Sequence, residues 1–124
     1  MNLPLAERRK HRSPESQIAL RFQLEHTLDR GGLEALVLAD GGGFVVAEAG
    51  EGSVCAELAA VAPILAKSIF GMRLPPLLRG GEVAVRTITL HGQELYLAAI
   101  GGGVARDALL TNSESGVRRI LLAN

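Results

Sequence analysis

Residues 53–72 constrain the fold of this chain more than any other stretch. They have helix composition, yet Val54, Cys55, Leu58, Ala59, Val61, Ala62, Leu65, Ala66 and Ile69, with Ala56, Ala60, Ile64 and Phe70, go nearly all the way round a helical wheel. A helix that is apolar all round has to be buried all round. The whole chain has 124 residues, one domain with one core. One side of such a helix can lie on a sheet, and the other then needs a partner. The pattern points to an interaction protein rather than an enzyme, with Leu58, Val61, Leu65, Ile69 and Met72 as the helix positions expected to meet that partner. Ser53 is the expected cap, and Gly71 with Pro75 and Pro76 the expected stop. Pro63 costs about 3 kcal/mol in a helix interior. A kink is expected there rather than a break, because the apolar spacing continues on both sides.

The helix is preceded by two apolar runs, 33–39 and 44–49, joined across Asp40-Gly41-Gly42-Gly43. Asp-Gly and Gly-Gly accept the positive φ of tight turns, so these runs read as a hairpin. Upstream, Ser13-Pro14-Glu15 marks a helix start, and Ile18, Leu20, Phe22, Leu24 and Leu28 supply an apolar stripe that ends at Gly31-Gly32. Residues 1–13 carry Arg8, Arg9, Lys10 and Arg12 with little to bury, and read as a solvated basic tail before a domain at 14–124. Downstream, Val83, Val85, Thr87 and Thr89 alternate with Ala84, Arg86, Ile88 and Leu90, the pattern of a half-exposed strand. Residues 94–100 form a more continuously apolar strand after His91-Gly92-Gln93. Residues 104–111, after Gly101–Gly103, are expected to complete a three-stranded meander. Asn112-Ser113-Glu114 then caps a last helix with Val117, Ile120 and Leu121 on one side.

Composition removes several function classes. The formal net charge is zero, with 3% aromatic residues and no Trp, so phosphate neutralisation and base stacking both lack their residues. A single cysteine, Cys55, forms no internal disulfide and fits a reducing, cytoplasmic setting. No apolar run approaches the roughly 18 residues of a membrane span. The glycine runs at 41–43 and 101–103 lack the GxxxxGK[ST] pattern, and the first opens onto a strand, so no phosphate cradle is expected. Ser53, Ser68, Ser113 and Ser115 lack a nucleophile elbow. Cys55 falls in the first helical turn, where a thiolate is favoured, with His91 as a remote base; a buried structural cysteine is the plainer reading. His11, His26 and His91 have no paired metal spacing. Glu48, Glu51 and the Arg106–Asp107 pair read as solvated charges. No catalytic, metal or cofactor residue is expected.

The resulting order, α-β-β-α-β-β-β-α, together with residues 36–47 (LVLADGGGFVVA), the Ala- and Leu-rich helix, and residues 95–100 (LYLAAI) before a Gly turn, resembles the roadblock (dynein light chain) family over residues 15–122. The resemblance implies an α+β fold with a five-stranded antiparallel sheet and helices on both faces. It implies a homodimer through the central helix and the third strand, placing Val83, Val85 and Thr87 at the interface. It further implies a small Ras-like GTPase as partner, with Arg73 and Arg79 the loop arginines near the platform. A scaffold subunit without a GTPase, or a small-molecule sensing domain, are the alternatives.

Overall fold

The computed structural model describes residues 14–67 and 82–123. The basic tail, Ile69, Met72, Arg73 and Arg79 lie outside them. Helix α1 (Pro14–Gly31) leads into β1 (Leu33–Asp40) and β2 (Val45–Gly50), then α2 (Gly52–Lys67), β3 (Val83–Leu90), β4 (Gln93–Gly101) and α3 (Arg106–Leu122). The strands form one antiparallel sheet in the order β2-β1-β4-β3.

Alternation along the two central strands builds the layers, because successive side chains leave a strand on opposite faces. Leu36, Leu38, Leu95, Leu97 and Ala99 pack on one face with Leu20 and Leu24 of α1 and Leu110 and Val117 of α3. Ala35, Val37, Ala39, Tyr96, Ala98 and Ile100 pack on the other with Cys55, Leu58, Ala59, Val61 and Ala62 of α2. The helices therefore cover both faces, as expected.

The two hairpins form where their turn residues direct. Asp40 is 3% exposed, and its Oδ1 accepts the N–H groups of Gly42 (2.9 Å) and Phe44 (3.2 Å). That side chain replaces backbone partners the turn lacks. Gly43 has φ +80°, and a Cβ there would lie 3.2 Å from the Ala60 backbone, so the turn rests directly on α2. The β3–β4 turn is a two-residue connection in which His91 (φ 52°) and Gly92 (φ 75°) are both left-handed, the conformation that tight hairpins favour.

Several expectations are corrected. Among the described residues the sheet has four strands, because residues 104–111 do not form a fifth. A 3₁₀ turn (Gly103–Ala105) runs into α3, which starts at Arg106 rather than being capped at residues 112–114. Ala, Arg and Leu are good helix formers, Asp107 suits the first turn, and Leu110 and Val117 share one buried side. In α1 the inward side holds Leu20, Leu24 and Thr27, while Ile18 (49% exposed) and Phe22 (57% exposed) point out. Helix α2 begins at Gly52, and the Ser53 hydroxyl bonds the Glu51 carboxylate instead of capping. The helix continues through the buried Pro63 as one element, so the proline does not break it.

Candidate interaction surface

The orientation of α2 determines which of its side chains can reach another molecule. Leu58 (0% exposed) and Val61 (7%) face the sheet, so the chain itself buries them. Leu65 is half-buried against the same cluster. The water side carries Ala56, Ala60 and Ile64 at successive i+4 positions, the last of them 56% exposed. Phe44 is also exposed, in the turn whose Gly43 abuts Ala60. The predicted positions Leu58 and Val61 are thus core residues, and the apolar surface is the Ala56–Ala60–Ile64 row.

Strand β3 supplies the second part. It pairs with β4 on one side, and among the described residues no strand pairs with the other. Val83 and Val85 are half-buried against the α2-side cluster, and Thr87 is exposed. On its opposite face, Arg86 lies 3.8 Å from Glu114 and donates to the Asp107 carbonyl at 3.2 Å. Glu114 also takes Arg118 at 3.0 Å, and Arg118 reaches the Thr89 carbonyl at 3.5 Å. Arg106 bonds Glu82 at 2.6 Å beside the strand's start. These ion pairs tie β3 to α3. The pairs from Glu114 to Arg86 and from Arg106 to Glu82 were not visible in the sequence, since each joins residues far apart along the chain, whereas Glu114 and Arg118 stand one turn apart on α3.

Among the described residues, Cys55 and His91 are not brought together. The Cys55 thiol is 0% exposed and donates to the Ala49 carbonyl at 3.3 Å. Burial first, then the Glu48 carboxylate, push its pKa up to about 11, so it stays protonated at neutral pH. His91 sits in the β3–β4 turn, beyond the Asp40–Leu95 pairing, whereas Cys55 lies at the Ala49–Leu36 level. Tyr96 donates to Glu94 at 2.7 Å, and that bond raises the phenol's pKa. Among the described residues no three His, Cys, Asp or Glu side chains gather to hold a metal. No described helix is long and apolar enough to cross a membrane.

No family model matches the sequence, and no curated protein does. A solved chain of Myxococcus xanthus MglB superposes with a TM-score of 0.59 at 11% identity, covering 90% of this chain and 93% of that one. The fold is roadblock-like. At that identity the likeness concerns architecture, and the side chains of the surface are this chain's own.

Proposed function

We propose that this protein is a non-catalytic homodimeric module that binds and regulates a small Ras-like GTPase. The observation that carries the reading is the water side of α2, where Ala56, Ala60 and Ile64 stay unburied beside a strand whose edge has no described partner. Small side chains let two helices approach closely, and the edge of β3 is protected when a twofold copy pairs with it. The roadblock-like architecture supports the same arrangement. The paired α2 helices then form a platform for the GTPase.

The test is sedimentation equilibrium at micromolar concentration, followed by pull-down of a co-encoded small Ras-like GTPase loaded with GDP or with a GTP analogue. A dimer that retains one nucleotide state over the other is expected. A monomer, or a dimer that retains neither state, overturns the proposal.

A further inference from the structure

The two strands at the edges of the sheet differ in regularity. Strand β3 pairs with β4 from Val83 to Leu90 without a shift, whereas the pairing of β1 with β2 shifts between Leu38 and Ala39. Asp40 donates to the Phe44 carbonyl at 3.0 Å and accepts the Gly43 N–H at 3.0 Å, so its backbone groups face β2. Backbone direction alternates along a strand, and Leu38 and Leu36 therefore face β2 as well, where they meet Ala47 and Ala49. Ala39, however, meets Val45. Val46 and Ala47 thus stand together where the ladder has room for one residue. Both are buried in the α1-side core, on the face that Ala49 shares, while Val45 packs on the α2 side. Side chains of a regular strand alternate, so two neighbours on one face identify a bulge.

The bulge decides what β2 offers to another chain. Val45, Glu48 and Gly50 direct their backbone N–H and C=O groups away from β1, and among the described residues no strand takes them up. A regular edge presents such groups at every second residue. Here two residues separate Val45 from Glu48. An extended chain that bonds Glu48 and Gly50 therefore falls out of step at Val45. Helix α1 does not supply the protection instead, because Gln17, Ile18 and Arg21 leave an open groove beside Val45–Glu48. Ile18 is exposed there, and an unpaired edge beside apolar side chains is a template for pairing.

We propose that the extra residue at Val46–Ala47 keeps the outer edge of β2 closed to strand addition, so that the sheet does not grow on that side. The proposal concerns β2 alone and stands whether or not the homodimer proposed above forms. Removing either residue straightens the strand and leaves every other side chain on its own face, because Val46 and Ala47 share one. Deleting Ala47 keeps the valine that fills the core and is the milder change.

The experiment compares the full chain with its Ala47 deletion by sedimentation across a range of micromolar concentrations. The deletion is expected to associate one step further than wild type, to about twice its mass, as each opened edge takes up another copy. Glu48→Pro in the deleted chain is expected to restore the wild-type mass. A proline there lacks only an outward N–H, so it blocks the edge and spares the ladder with β1. A folded deletion chain at the wild-type mass, or association that survives the proline, overturns the proposal. Should the deletion fail to fold, amide hydrogen exchange on the intact chain decides. The outward N–H groups of Val45 and Glu48 are expected to exchange about a hundredfold faster than those of Ala47 and Ala49. Equal protection at Val45 or Glu48 would mean that the edge is paired or the bulge absent, and the proposal falls.

Discussion

The two faces of the sheet are built from the same strands and covered on different terms. The α1/α3 face is made of leucines, with Leu36, Leu38, Leu95 and Leu97 meeting Leu20, Leu24 and Leu110. The α2 face is made largely of small residues, with Ala35, Ala39 and Ala98 meeting Ala59 and Ala62. Large side chains under two helices close the first face. Small ones let a single helix lie close, with Ala59 and Ala62 fully buried against the strands. One helix then covers the sheet with its inner side and offers Ala56, Ala60 and Ile64 outward. The difference teaches that large side chains under two helices close one face of the sheet, while on the other a single closely laid helix does the covering and leaves its own outer row open, as α1 does at Ile18 and Phe22.

The largest effect expected from breaking this contrast comes from emptying the leucine face. Leu97 is 0% exposed at the centre of β4. Leu97→Ala is expected to cost about 2–5 kcal/mol, because a packed interior collapses only partly around the lost volume. Urea unfolding measures it. The opposite change on the other face, Ala98→Leu, adds volume where α2 lies close, and is expected to cost about 1–3 kcal/mol by overpacking. If Ala98→Leu proves neutral, α2 is held more loosely than the alanines imply.

The rim of the alanine face is probed by Cys55. Its thiol pKa is raised by burial to about 11 from the ordinary 9.0, so the folded state holds the proton more tightly than the unfolded chain. The stability linked to this group is complete below pH 9 and declines as the pH rises toward 11. Cys55→Ala is expected to flatten that alkaline decline in urea midpoints measured from pH 8 to 11. A thiol reagent is expected to label native Cys55 only as fast as the protein opens. Labelling at the rate of a free thiol would show that the helix start is not closed.

The contrast also explains what was legible in the sequence. The Asp40–Gly43 hairpin and the apolar β4 were readable because turn chemistry and continuous apolar runs act locally. Residues 104–111 were misread because a short mixed run fits either period, and the decision came from Leu110 packing on α1-side leucines far along the chain. The facing of α2 was hidden for another reason. On a helix with almost no polar side, polarity carries no phase, and side-chain size carries none either, since Leu58, Ala59 and Ala62 turn to the sheet while Ala56, Ala60 and Ile64 turn out. Ile18 and Phe22 were read into the apolar stripe of α1, whereas its inward side is completed by Leu20 and Leu24 with the polar Ser16 and Thr27, which apolar spacing does not mark.

The smallest effect on the single chain is the sharpest test of the comparison. Ile64 is 56% exposed, so Ile64→Asp removes little that the isolated fold buries and is expected to change its stability by less than about 0.5 kcal/mol. The condition is dilution. Where the dimer is populated, association adds to the stability of the folded state, and the same substitution then lowers the melting temperature at high protein concentration. Melts of wild type and Ile64→Asp over a hundredfold dilution, about the range in which linkage moves stability by a few kcal/mol, separate the two contributions. Wild-type melting temperature is expected to fall on dilution and the variant's to stay constant, the two converging at the lowest concentration. Divergence that persists there would mean Ile64 supports its own chain, and the outer side of α2 would then be as closed as the leucine face.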